Sequence, residues 1–221
     1  MGVNLNPGFE MFEDRKDAGQ RLGKALMKYK AVDALVLAIP RGGVEVGYYL
    51  ARQLGAPLSI VVVRKLPFPY NPEAGFGAIA EDGSTYFVDR AYSRLSQGVV
   101  EEILEEQKRE LQRRIEVLRG GKPLPEISGK TVILVDDGIA MGSTMRAAIM
   151  LCKNRKTKQI VVATPVADPA MEELLRDIVD DVVILEKPLF FQAVAQSYKN
   201  WYDVGDDEVI RILQKKKGVE S

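Results

Sequence analysis

Asp136 and Asp137 stand side by side at the end of an apolar run, Val132–Val135, and a short loop, Gly138-Ile139-Ala140-Met141-Gly142-Ser143-Thr144, follows them. A continuous apolar run of this length reads as a strand buried on both faces of a parallel sheet. Ligands of such sheets bind beyond the carboxyl ends of the strands. Paired carboxylates placed there suit a diol, whose two neighbouring hydroxyls can each donate a hydrogen bond. The loop then enters a helix, where unpaired amides and the positive end of the dipole hold a phosphate. Gly142 lets the backbone come close, and Ser143 and Thr144 add hydroxyl donors. One stretch would thus hold a sugar diol and a phosphate side by side.

Two more segments offer charge or amides for an anion. Pro40-Arg41-Gly42-Gly43 follows the apolar run Ala34–Ile39, and Arg64-Lys65 closes the run Leu58–Val63. A plain turn and two charges at a strand end explain them equally simply. Other chemistry is excluded by composition. The chain has no histidine, so it builds no Ser-His-Asp or Cys-His unit and no histidine metal site. Asp, Glu, Lys, Tyr or a bound water must move any proton. Its single cysteine, Cys152, forms no internal disulfide and points to a reducing compartment.

The elements that position these residues follow from periodicity. Apolar runs predict strands at 34–39, 58–63, 131–135, 160–164 and 182–185. Helical spacing predicts helices at 14–30, 44–54, 98–119, 143–153, 168–177 and 206–214. Strands alternating with helices make an α/β protein with an open, mainly parallel five-stranded sheet flanked by helices. Residues 66–84, with Pro67, Pro69, Pro72, Gly75, Gly77 and Gly83, read as a long loop with room for a short hairpin at 76–80. Such loops are commonly lids. Residues 85–88 suit a further strand, and 215–221 a frayed end. The helix at 98–119 carries acids first and bases last, as the helix dipole favours. It reads as a solvated helix docked on the core, or as a subunit contact in a homodimer. The whole of 1–221 reads as a single domain.

The 132–144 segment resembles the phosphoribosyl-pyrophosphate motif of type I phosphoribosyltransferases. The Pro-Arg-Gly-Gly loop resembles that family's pyrophosphate loop, and its members often place basic residues where Arg64 and Lys65 stand. The resemblance covers roughly 14–204, including an Asp14-Arg15 … Ala18-Gly19 opening and Asn71-Pro72-Glu73. It implies that Asp136 and Asp137 hold the ribose hydroxyls. It implies that residues 138–144 hold the 5-phosphate, and that Arg41, Gly42, Gly43, Arg64 and Lys65 serve the pyrophosphate, with Lys65 and the two acids counted as catalytic. Mg²⁺ would come with the substrate, its waters touching Asp136 or Asp137, with no direct protein ligand. Residues 66–84 would form the lid and 187–214 a small hood. There Phe190 or Phe191 would stack on the acceptor, or simply plug the hood.

The sequence departs from the family at Met141, where members usually carry threonine. Ala140 stands where 6-oxopurine enzymes carry an aspartate, which disfavours that class of acceptor. The reaction implied is transfer of the 5-phosphoribosyl group to a nitrogenous acceptor, most simply a nucleobase. A non-catalytic sensor of the sugar pyrophosphate is the alternative. Lys plus Arg and Asp plus Glu each number 31, and no helix-turn-helix precedes residue 30, so no nucleic-acid partner is expected. A dinucleotide-binding Gly-x-Gly-x-x-Gly turn is missing after the first strand. The longest apolar runs are about eight residues, against ~20 for a membrane span, and the first residues do not read as a secretory signal, so a cytoplasmic location is expected.

Overall fold

The computed structural model describes residues 10–88 and 92–215; of the end expected to fray, 215–221, Lys215 closes a helix and the rest lies outside the described residues. Five parallel strands form the main sheet: β1 (Ala34–Ala38), β2 (Leu58–Ile60), β6 (Thr131–Val135), β7 (Gln159–Val166) and β8 (Asp181–Glu186). Their order is β2-β1-β6-β7-β8. The two strands whose ends carry candidate loops, β1 and β6, therefore lie side by side, with Ala38 in register with Val135. Every residue of both is buried, as the unbroken apolar runs require.

Side chains alternate between two cores. Val36, Ala38, Ile133 and Val135 face one, packed against the helices α1 (Arg15–Ala25), α2 (Gly42–Leu54), α3 (Gln97–Arg119) and α6 (Asp206–Lys215). Leu35, Leu37, Val132 and Leu134 face the other, against α4 (Ser143–Asn154) and α5 (Pro169–Arg176). Local chemistry sets several boundaries. Asp14 caps α1 by accepting from the Asp17 amide at 2.8 Å, and Asp168 caps α5 from Ala170 at 2.9 Å, with Pro169 in the first turn. No helix among the described residues is long and apolar enough to cross a membrane.

The expected long loop at 66–84 is mostly strand. β3 (Val63–Phe68), β4 (Asn71–Ala80) and β5 (Thr85–Phe87) make a separate antiparallel sheet in that order. The run 58–63 is accordingly two strands in two sheets. The chain leaves the parallel sheet at Val61 and Val62, where the Val62 amide donates to Glu81 at 2.9 Å. The buried Arg119 guanidinium pairs with the same carboxylate and donates to the Ile60 carbonyl at 3.1 Å. This ion pair clips the end of α3 to the junction between the sheets. Phe76 anchors the small sheet between Phe68 and Phe87, at ring-centroid distances of 5.7 and 6.3 Å.

Candidate active site

The end of β6 delivers Asp136 and Asp137 beside the start of α2. The fit is close: a methyl group on Gly42 would lie 1.8 Å from Asp137 Oδ2, and one on Gly43 would lie 2.9 Å from the Asp136 Cα. Only glycine lets a helix start this near the two acids. The carboxylates differ. Asp136 lines an open cleft of about 260 Å³, and its Oδ1 accepts from the Asp137 amide at 2.9 Å. Asp137 turns away, its Oδ2 accepting from Arg15 Nε at 2.9 Å. Burial and the Asp137 charge push the Asp136 carboxyl well above the usual carboxylate range. Burial raises Asp137 too, but the Arg15 guanidinium opposes it.

Every residue from Gly138 to Thr144 borders the same cleft. The loop is tied to the end of β7: the Ile139 amide donates to the Val166 carbonyl at 2.9 Å, and the Asp168 amide to the Ile139 carbonyl at 3.0 Å. Gly142 takes a left-handed conformation, φ 70°, that turns the chain into α4. No side-chain hydrogen bond caps that helix, and uncapped amides at a helix start are the kind of group that can hold an anion. Lys65 borders the same cleft with Glu73, whose carbonyl accepts from Lys65 Nζ at 2.6 Å.

A family model described as the phosphoribosyl transferase domain matches residues 13–199. The chain belongs to the phosphoribosyl transferase family. Two Mycobacterium tuberculosis proteins, from strains CDC 1551 and H37Rv and provisionally named phosphoribosyl transferases, are 37% identical over 208 residues, covering 93% of this chain. The chain spans about half the length of these relatives, 47%. The crystal structure of a Thermus thermophilus protein superposes with a TM-score of 0.79 at 37% identity, covering 93% of this chain and 99% of that one.

Within this phosphoribosyl transferase fold, the residues singled out from sequence separate. Asp136, Gly138–Thr144 and Lys65 converge on one cleft. Arg64, one strand position from Lys65, faces the other side and donates to Gln107 of α3 at 3.1 Å. Arg41 sits just before α2, 43% exposed, 3.6 Å from Asp206 of α6. Gly42 and Gly43 act through close packing against the acids. Phe191 joins a small cluster with Phe12, Val166 and Tyr198, and Phe190 is 57% exposed; the hood residue that borders the cleft is Val194. Met141 is 65% exposed on the cleft rim.

Four contributors were not anticipated: Arg15, Tyr198, Glu73 and Val194. Arg15 is 3% exposed. It shares the i, i+3, i+7 spacing of Ala18 and Leu22, which marks it as a charge on the buried face of α1. No comparable signal points to Tyr198 or Val194. Arg15 and Glu73 both belong to segments noticed in the sequence without a role, the Asp14-Arg15 … Ala18-Gly19 opening and Asn71-Pro72-Glu73.

Proposed function

We propose that this protein transfers the 5-phosphoribosyl group from phosphoribosyl pyrophosphate to a nitrogenous acceptor. The observation that supports this best is that one stretch, Asp136 with Gly138–Thr144, forms a continuous wall of a single cleft. The uncapped start of α4 receives the 5-phosphate on backbone amides, Ser143 and Thr144. Asp136 accepts from the ribose hydroxyls. Lys65, which also borders the cleft, neutralises the pyrophosphate, with Arg41 and the start of α2 as further contributors. In the reaction the bond from C1 to the pyrophosphate oxygen breaks and a bond from C1 to the acceptor nitrogen forms. Pyrophosphate leaves with the electron pair, and the acceptor nitrogen gives up its proton to the released pyrophosphate or to water. Positioning and charge stabilisation of an oxocarbenium-like transition state carry the catalysis.

The donor set fits Mg²⁺ carried by the substrate. Among the described residues no group of three or more Asp, Glu or Cys side chains forms a cage for a metal ion, while Asp136 and Glu73 offer hard oxygens at the cleft. Bound there, Mg²⁺ would offset the charge of the leaving pyrophosphate. Ala140 borders the cleft without a carboxylate, so it offers no side-chain acceptor for a purine ring N–H. A nucleobase other than a 6-oxopurine suits it better.

The test has two parts. Calorimetric titration with phosphoribosyl pyrophosphate and Mg²⁺ should show binding that Asp136→Asn with Asp137→Asn abolishes. Equal binding by both proteins would sink the assignment. Pyrophosphate release should then be followed over purine, pyrimidine and pyridine acceptors. Tight binding without turnover on any of them would overturn the transferase reading.

A further inference from the structure

The Asp136-Asp137 pair is held from behind by residues that do not border the cleft. Arg15 Nε binds Asp137 Oδ2 at 2.9 Å. The Tyr198 hydroxyl donates to the Asp137 carbonyl at 2.6 Å. The Asp137 amide in turn donates to Asp136 Oδ1 at 2.9 Å. Side chain, carbonyl and amide of one residue are thus engaged, and the amide sets the direction of the carboxylate that faces the cleft.

Arg15 is fixed in its own right. Its guanidinium carbon lies 3.9 Å from the centroid of the Trp201 ring and 5.3 Å from that of Tyr202, and Nη1 donates to the Tyr202 carbonyl at 2.8 Å. The segment that carries these rings is bound to the chain just before α1: the Phe12 amide donates to the Ser197 carbonyl and the Lys199 amide to the Phe12 carbonyl, both at 2.9 Å. A buried guanidinium needs a stacked, hydrogen-bonded seat of this kind, which lysine would not fill.

We propose that Arg15, with Tyr198, is a positioning residue for the sugar site: it acts on ligand binding through Asp137 and Asp136 and touches no ligand itself. The proposal deepens the transferase reading and rests on it for the identity of the ligand. The relay itself is a property of the empty protein.

The experiment therefore has an arm with no ligand. Trp201 is the single tryptophan. In ligand-free Asp137→Asn, the loss of the carboxylate partner should shift the Trp201 emission, because the stacked guanidinium moves; unchanged emission overturns the relay. The second arm measures binding of phosphoribosyl pyrophosphate with Mg²⁺ by calorimetry. Loss of a charge-assisted bond predicts binding about ten- to a hundredfold weaker in Arg15→Gln, with Arg15→Lys giving incomplete rescue. Tyr198→Phe, which removes one oxygen, should weaken it about three- to tenfold. The double variant Arg15→Gln with Asp137→Asn should bind no worse than Asp137→Asn alone. Multiplying losses would show that Arg15 acts independently of Asp137 and overturn the proposal, as would wild-type affinity in both Arg15→Gln and Tyr198→Phe. Should Arg15→Gln fail to fold, Tyr198→Phe and the emission arm decide. If the wild-type protein binds no sugar pyrophosphate while the emission shift occurs, the ligand assignment falls and the relay stands.

Discussion

Gly42 leaves no room for a methyl group, since a Cβ there would lie 1.8 Å from Asp137 Oδ2. Gly42→Ala must therefore push α2 away from β6 or turn the carboxylate. We expect a loss of about 1–3 kcal/mol in urea melts, as for other overpacked positions, together with weakened ligand binding. An alanine variant with wild-type stability and affinity would contradict the packing. Asp136 behaves in the opposite sense. Its carboxyl is raised by burial and by Asp137, so the folded chain holds that proton longer than the unfolded chain. Stability then falls as pH climbs from about 4 through the folded pKa. Asp136→Asn removes this burden. Its thermal midpoint should exceed the wild-type value by a few degrees at neutral pH, with the gap closing toward pH 4, while ligand binding is lost. A gap that does not depend on pH would count against the raised carboxyl. That Asp136 and the 138–144 loop would share one cleft was legible in the sequence, because they follow one another at a strand end; that Asp137 turns to Arg15 was not. Arg64 and Lys65 were legible only as a pair; which of them meets the cleft depends on the alternation of β3.

Elements of the main sheet were readable because burial on both faces leaves an unbroken apolar run, as in β1 and β6. The small antiparallel sheet was not. β3 and β4 contain Pro67, Pro72, Gly75 and Gly77, and their register shifts on both sides of Pro67, so the usual alternation is interrupted. Nor does the run 58–63 betray that it serves two sheets. What joins them is the buried Arg119–Glu81 pair, far apart in sequence. Removing one partner strands the other charge. Arg119→Met should therefore cost about 3–5 kcal/mol in denaturant melts, whereas breaking the exposed Lys108–Glu105 pair on the same helix should leave the melt nearly unchanged. Similar losses from both would mean that the clip is not buried in solution.

Across the whole molecule, stability should be graded. Amides of β1, β6 and β7, inside the parallel sheet, should exchange slowest. The turn between β3 and β4, where Tyr70 is fully exposed, should exchange early. Lys65 and Glu73 border the cleft from this small sheet. If 66–84 closes over substrate, exchange there should slow when phosphoribosyl pyrophosphate and Mg²⁺ are added; an unchanged rate in a protein that binds them would rule out closure.

Gly138 and Val194 meet across the cleft wall, and a methyl group at 138 would come within 2.4 Å of Val194 Cγ1. The two positions therefore share one fixed allotment of volume. In a library randomised at both, survivors should lie along a diagonal, with small residues at 194 accompanying anything larger than glycine at 138. Trimming Val194 alone would leave a notch beside Gly138 in the cleft wall; on the transferase reading, selection for bulkier acceptors could proceed there without touching the residues proposed to hold the sugar.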